Sequence, residues 1–348
     1  MDVIQPHITP EILNLIAEID EFKGGWRAYQ NLAPERLAAL RHVATVESVA
    51  SSTRIEGVKL SDRQVEALLQ NLQQGQFSTR DEQEVAGYAE VMQLIFESYS
   101  SIPLTENHIK QLHSLLLRYS DKDHRHRGAY KTLANNIAAF DANGHALGVI
   151  FETTSPFDTP LQMQDLVEWA NQAFKDQILH PLLIIAIFTV RFLAIHPFQD
   201  GNGRLSRILT TLLLLKAGYV YIPYSSLESV IENNKDGYYL ALHRTQATLN
   251  QEQPQWQAWL TFFLRSMKKQ KDNLLKKVER ERHFLQALPQ LAIDILELIK
   301  TNGRITTAEI IMATQANRAT VRKRLEDLVR SNLILQHGKG KGTWYSLP

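Results

Sequence analysis

His196-Pro197-Phe198-Gln199-Asp200-Gly201-Asn202-Gly203-Arg204-Leu205-Ser206-Arg207 lies between two apolar helical patterns, Pro181 to Ile195 before it and Leu205 to Ala217 after it, the second ended by Gly218. Gly201, Asn202 and Gly203 put flexible backbone just ahead of a helix. Its N–H groups there point outward and the helix dipole favours an anion, so the segment reads as a phosphate nest. Arg204 and Arg207 are three apart, so both guanidinium groups are expected on one side of the helix, where each can bind phosphate oxygens bidentately. Asp200 is a hard oxygen ligand beside the nest and suits the Mg²⁺ that accompanies a polyphosphate. His196, whose ordinary pKa is near neutral, is placed to take a proton from an incoming hydroxyl. Phe198 is expected to pin the loop into the core. A base, a carboxylate, a glycine nest and two arginines this close together have little reason to coexist as a mere turn.

The rest of the chain sets bounds on that reading. With 348 residues and 44% hydrophobic content, two or three structural units are expected, each with a core of its own. Lys plus Arg (38) nearly balance Asp plus Glu (37), so no global field draws the protein to nucleic acid or membrane, and any basic surface must be local. The absence of cysteine excludes disulfides, thiolate metal sites and a cysteine nucleophile, and fits a reducing compartment. Met1-Asp2-Val3-Ile4-Gln5-Pro6 lacks the basic start and apolar run of a secretory signal. The run Pro181 to Val190 meets Arg191 well short of the roughly 20 residues needed to span a bilayer. A cytoplasmic protein without membrane contact is expected.

Apolar residues recur at helical spacing through the N-terminal third: Ile12, Leu15, Ile16 and Ile19, then Leu37, Leu40, Val43 and Val46, then Val65, Leu68, Leu69 and Leu72. Thr105 is expected to cap a helix with the face Ile109, Leu112, Leu115 and Leu116. Between Asp121 and Pro160 the period collapses, and Asp141-Ala142-Asn143-Gly144 beside short apolar stretches signals a β-hairpin. His124, Arg125 and His126 lack a third well-spaced ligand and read as a solvated loop rather than a metal cluster. Helices resume at Leu161 to Lys175, and a charged helix, Lys268 to Arg282, follows Trp256, Trp259, Phe262 and Phe263. In the tail, helices at Leu291 to Ile299, Thr306 to Met312 and Thr320 to Leu328 precede Leu333-Ile334-Leu335 and Thr343-Trp344-Tyr345-Ser346, which flank Gly338-Lys339-Gly340-Lys341-Gly342. Three short helices and a two-stranded ribbon resemble a winged helix-turn-helix.

The loop 196–207 resembles the signature of the Fic family, His-Pro-Phe-x-Asp-Gly-Asn-Gly-Arg-x-x-Arg, with every fixed position filled, and the helical region from about Thr105 to Phe263 is similar to the Fic core. The fold class so implied is mainly α: a Fic-type helical core with a small β-hairpin flap, plus the winged helix-turn-helix. The boundaries expected are 1–100 for an N-terminal helical region, 101–267 for the catalytic core, 268–284 for a helical linker and 285–348 for the winged helix. The resemblance implies transfer of AMP from ATP to a Ser, Thr or Tyr hydroxyl of a target protein and onto the enzyme itself. It makes His196 the base, Asp200 the Mg²⁺ ligand, Gly201, Asn202 and Gly203 the cradle of the α-phosphate, and Arg204 and Arg207 the holders of the outer phosphates.

Three further segments follow from the same resemblance. Ser52-x-x-x-Glu56-Gly57 matches the inhibitory motif of Fic proteins that carry their own brake, in which a carboxylate paired with Arg207 occupies the guanidinium meant for the γ-phosphate. Gly148-Val149-Ile150-Phe151 corresponds to the flap that clamps the nucleotide and docks the target backbone by strand addition, although Glu152-Thr153-Thr154-Ser155-Pro156 departs from the family's proline-rich continuation. Tyr238, Tyr239 and Gln246 match positions lining the adenosine pocket. Two alternatives stay open. The site could remove AMP, with Glu56 orienting a water, or the chain could be a DNA-binding regulator whose Fic-like unit senses nucleotide. The target protein, any homo-oligomer, and AMP against another nucleotide or phosphocholine are left open too. Arg318, Arg322, Lys323, Arg324, Arg330, Lys339 and Lys341 permit contact of residues 285–348 with DNA.

Overall fold

The computed structural model describes residues 6–29, 34–72, 75–140, 146–286, 288–331 and 333–347. The chain divides into two compact units, Met1–Gln30 with Leu40–Asn273, and Asn31–Ala39 with Leu274–Pro348. Among the described residues no helix is long and apolar enough to cross a membrane.

The first unit is built on a pair of buried helices. In α7 (Pro181–Ile195) Leu182, Leu183, Ile184, Ile185, Ala186, Ile187, Phe188, Val190 and Phe192 are buried in succession, so the helix is apolar all round and occupies the centre. It stops at His196, which is left-handed at φ 51°, and the chain re-enters helix at α8 (Asn202–Lys216) through Gly201 at φ 78°. Thus the loop is bracketed by two left-handed residues, one of them a histidine, in a conformation that L side chains seldom adopt.

Around this pair stand α1 (Pro10–Tyr29), α2 (Pro34–Ile55) from Leu40 onward, α3 (Asp62–Gln70), α4 (Arg80–Ser98), α5 (Glu106–Leu116), α6 (Thr159–Asp176), α9 (Leu227–Glu232), α10 (Lys235–Gln246) and α11 (Gln257–Gln286) as far as Asn273. Ile12, Leu15, Ile16, Ile19, Phe22 and Trp26 form the buried stripe of α1, and Thr79 and Glu82 close a capping box that starts α4. Thr105 caps α5 by accepting from the His108 N–H at 3.2 Å. On α2 the apolar period fades early, leaving Val43 48% exposed, whereas Val49, Ala50, Ser51, Ser52, Thr53 and Ile55 are all buried. The end of α2 is therefore enclosed on every side, polar residues included. The charged stretch from Lys268 is the latter part of the 30-residue α11, which opens with Trp259, whose Nε1 donates to the Ala186 carbonyl of α7 at 2.6 Å.

A two-stranded antiparallel hairpin, β1 (Ile137–Phe140) and β2 (Ala146–Phe151), interrupts the helices, with Ile137 opposite Phe151 and Phe140 opposite Ala146. The Asp141-Ala142-Asn143-Gly144 turn falls outside the described residues.

The second unit contains α12 (Gln290–Asn302), β3 (Ile305–Thr306), α13 (Thr307–Thr314), α14 (Arg318–Arg330), β4 (Leu335–His337) and β5 (Trp344–Ser346). Its sheet has three strands in the order β3-β5-β4 rather than two, because the two residues ahead of α13 pair with Trp344 and Tyr345. Leu333 and Ile334 lie outside the strands and join the core of Ile295, Ile299, Ile310, Val321, Leu325 and Leu328. That displacement follows from burial: consecutive apolar residues cannot both face inward on a strand.

Helices α4 and α5 meet so closely at Gly87 that a Cβ there would collide with the Leu116 carbonyl. Gly87→Ala should therefore lose about 1–3 kcal/mol in urea unfolding, although alanine is the better helix former.

Candidate active site

A cavity of about 550 Å³ is walled by Glu56, Phe151, Leu193, His196, Gln199, Asp200, the start of α8 and, from α10, Tyr238, Tyr239, Leu242, His243 and Gln246. Its floor is the N-terminus of α8, whose first N–H groups have no carbonyl a turn earlier to receive them. Glu56 lies over this floor. A Cβ on Gly203 would collide with the Glu56 carboxylate, so the glycine is what lets a carboxylate rest on the helix end.

Arg207, only 4% exposed, meets the end of α2 in three hydrogen bonds. Its Nε donates to Ser52 Oγ at 2.8 Å, and Nη2 donates to the Ser52 carbonyl at 2.9 Å and to Glu56 Oε1 at 2.7 Å. Ser52 O is one of the last carbonyls of α2, which lacks an intrahelical donor, so a guanidinium there satisfies both the oxygen and the helix dipole. Burial works against the charge on Glu56, but Arg207, with Arg204 and His196 behind it, outweighs burial and holds the carboxyl below its usual range. Gly57, at φ 104°, ends the turn beyond α2 in a conformation that favours glycine.

The two arginines of the loop do not share a side. Arg204 turns toward α4, where Nη1 lies 2.9 Å from Glu84 Oε2 and Nη2 lies 3.3 Å from Asp200 Oδ1. Arg80 joins both acids, at 2.7 Å to Glu84 and 3.4 Å to Asp200, so two arginines and two carboxylates alternate in a ring. Burial raises the Asp200 carboxyl, but Arg204, the Gly201 N–H and Arg80 outweigh it and keep it ionised. Oδ1 takes the Gly201 N–H and Arg204, leaving Oδ2 with the longer contact to exposed Arg80. A half-exposed carboxylate oxygen in the cavity wall fits a divalent ion that completes its shell with phosphate oxygens and water, as Mg²⁺ does. Among the described residues no group of three or more His, Cys, Asp or Glu could hold a metal by itself, and His126 is instead paired with Asp123 at 2.8 Å.

The Asn202 side chain is spent on the loop, accepting from the Phe198 N–H at 2.9 Å and donating to the Phe198 carbonyl at 2.6 Å. What it offers an anion is its backbone N–H. Phe198 is fully buried and stacks on His113 with centroids 3.8 Å apart. His113 accepts the Gly128 N–H at Nδ1, so its proton sits on Nε2, 3.0 Å from the Asp200 carbonyl. His196 is pushed down to about 4 by burial and then by the Lys131 ammonium, against the pull of Glu56, so its imidazole is neutral at pH 7. Tyr238 is buried and Tyr239 is 44% exposed at the cavity mouth, while the hairpin contributes Phe151. Gly148, Val149 and Ile150 follow the backbone of β2, and their side chains lie outside the described residues.

Residues 103–214 match the family model of the Fic/DOC family. This segment is similar to a Fic domain, and the match covers about a third of the chain. A Fic-domain signalling protein from Bacteroides thetaiotaomicron superposes with TM-score 0.61 at 25% identity, over 75% of this chain and 97% of that one. A Fic family protein from Desulfovibrio desulfuricans superposes with TM-score 0.60 at 24% identity over 99% and 98% of the two chains, which shows a shared fold. By sequence, the protein adenylyltransferase Fic of Drosophila willistoni is 43% identical over 70 residues, 20% of this chain and 14% of that protein. The protein adenylyltransferase and cysteine protease IbpA of Histophilus somni is 34% identical over 79 residues, 23% of this chain and 2% of that protein. The chain thus matches only a small part of the length of these curated relatives.

The sequence pattern did not single out Arg80, Glu84, His113, Lys131, Asn135 or Thr153. Two left a trace: His113 interrupts the apolar face of Ile109, Leu112 and Leu116, and Glu84 stands one turn before buried Tyr88. Like His196, His113 is driven down to about 4 by burial. Both then titrate below the roughly 6.5 of an unfolded histidine, so stability is full above about pH 6.5 and falls as pH drops through 4. Histidine NMR titration should find the His113 and His196 rings protonating near pH 4, with the urea midpoint lower at pH 4.5 than at pH 7.

Proposed function

We propose that this chain transfers AMP from ATP to a Ser, Thr or Tyr hydroxyl of a target protein, and onto itself, and that Glu56 restrains it. The observation that carries the reading is the shared cavity: neutral His196 beside the open N-terminus of α8, with a carboxylate lying where an anion would bind. The names of the Drosophila and Histophilus relatives support the adenylyl group.

In this reading the α-phosphate rests on the backbone N–H groups of Asn202 and Gly203 beside Gly201, whose own N–H is held by Asp200 Oδ1, with Arg204 in the adjacent wall. The hydroxyl oxygen attacks the α-phosphorus in line as the bond to pyrophosphate breaks, and His196 takes the hydroxyl proton. Mg²⁺ on Asp200 would supply charge neutralisation to the leaving pyrophosphate. Arg207 would hold the γ-phosphate once Glu56 releases it. Tyr238, Tyr239 and Gln246 line the part of the cavity available to the adenosine, and the β1–β2 hairpin offers a strand edge to the target. Hydrolysis with Glu56 orienting a water is not favoured, because the relatives are named for adenylyl transfer. A cytoplasmic setting accords with the cysteine-free composition.

The C-terminal unit is read as a winged helix. Arg318, Arg322 and Lys323 of α14, with Glu326 beside them, border an open concavity of about 740 Å³, and the three cations against one carboxylate suit a phosphate backbone. Duplex DNA should bind at 50 mM salt and at least tenfold more weakly at 200 mM; no binding at low salt leaves the unit a protein-interaction module.

With α-labelled ATP, Glu56→Gly should label itself more strongly than wild type. Adding His196→Ala should lower labelling by at least about a hundredfold. Unchanged labelling without the imidazole would remove the assigned base. A mass spectrum after incubation with ATP would identify the group added and the residue that carries it.

A further inference from the structure

One short segment holds the whole backbone of the His196 turn. Lys131 Nζ donates to the Ile195 carbonyl at 2.9 Å, Asn135 Nδ2 to that of His196 at 3.1 Å, the Lys131 N–H to that of Pro197 at 2.8 Å, and Asn135 Nδ2 again to that of Phe198 at 2.7 Å. These successive carbonyls need outside donors, because they follow the last turn of α7 and His196 has left helical geometry. The cluster is also closed within itself. Lys131 Nζ donates to Asn135 Oδ1 at 2.8 Å and to Thr153 Oγ1 at 2.9 Å, and Thr153 Oγ1 donates to Asn135 Oδ1 at 2.8 Å. All three ammonium protons and both amide protons are thereby used.

The same residues close the base of the hairpin. Asn136 stands directly before β1, and its Oδ1 accepts the N–H of Thr153, two residues after β2, at 3.0 Å. None of the three lines the cavity, so they reach its chemistry only through the loop. Lys131 is 3% exposed and has no carboxylate at ion-pair distance among the described residues. Its cation is held entirely by neutral oxygens, and burial pushes its pKa down to about 8.

We propose that Lys131, Asn135 and Thr153 are a positioning cluster for His196, fixing the imidazole through the carbonyls around it and tying its place to the base of the β1–β2 hairpin. The proposal rests on reading His196 as the base. A displacement of about 1 Å in a reacting group costs about a hundredfold, so loosening these carbonyls acts on the chemical step rather than on nucleotide binding.

The test uses the full chain in the Glu56→Gly background, measuring self-labelling rate against ATP concentration for Asn135→Ala, Thr153→Val and Thr153→Ser. Asn135→Ala and Thr153→Val should lower the rate at saturating ATP by about 10- to 100-fold, with the half-saturating ATP concentration changed less than about threefold. Thr153→Ser keeps the hydroxyl and should stay within about threefold of the parent. Hydrogen exchange of the 196–203 amides, measured without nucleotide, should quicken by about tenfold or more in Asn135→Ala and not in Thr153→Ser. An unchanged maximal rate, or a loss confined to ATP binding, overturns the proposal. If the Glu56→Gly parent does not label, the transfer reading fails and the exchange experiment alone decides the cluster. Should Asn135→Ala not fold, Thr153→Val, which preserves shape and removes one hydroxyl, carries the same comparison.

Discussion

Arg207 is the constraint around which the site is arranged. It is a buried cation that must have oxygen partners, because an unpaired guanidinium in the interior costs several kcal/mol. The protein supplies them from the carboxyl end of α2, one backbone carbonyl, one hydroxyl and one carboxylate. The negative end of one helix thus abuts the positive end of another, and Glu56 lies where α2 and α8 converge. That explains why Ser52 is buried at the end of α2: it faces a cation, and an apolar residue in its place would leave the Arg207 Nε without its hydroxyl partner.

The same accounting governs the rest of the loop. Arg204 is as deeply buried as Arg207, and its charge is met by Glu84 and Asp200, themselves shared with Arg80. Asn202 spends its side chain on loop backbone, His113 gives its Nε2–H to the Asp200 carbonyl, and Lys131 with Asn135 holds the carbonyls from Ile195 to Phe198. A turn with two left-handed residues has few internal hydrogen bonds, so it is held by side chains imported from α4, α5 and the segment before β1. Burial has a chemical consequence as well: it keeps His196 neutral at pH 7 while making it a weaker base than a free imidazole.

Much of this was legible in the sequence, because the loop places its chemistry in adjacent positions and the helices on both sides have clear apolar periods. The boundaries of α7 and the cap at Thr105 follow directly from those signals. The bracing residues were not legible, since each acts over a long sequence separation and lies in a segment without a pattern: Lys131 and Asn135 meet the loop from 61 to 66 residues away. The expectation that Arg204 and Arg207 share a side came from helix spacing alone. Spacing fixes where a side chain starts, but for a long arginine the counter-ion decides where it ends, and α2 and α4 offer counter-ions in different directions.

The restraint on Arg207 is separable from the seating of α2. Arg54, two residues before Glu56, binds Glu232 of α9 through Nε at 2.6 Å and Nη2 at 2.9 Å, and Asp62 at the start of α3 through Nη1 at 2.7 Å. Ser52 contributes two further bonds to Arg207 that do not involve the carboxylate. With these in place, the end of α2 is held by bonds that do not involve the Glu56 carboxylate, and Arg207 would keep Ser52 as a partner if Nη2 were released from that carboxylate. A 32% exposed carboxylate at the cavity mouth can make that movement into solvent, whereas moving the helix would break five other hydrogen bonds. The smaller motion is the cheaper one, so under the proposed function the brake would lie in one side chain rather than in the helix that bears it.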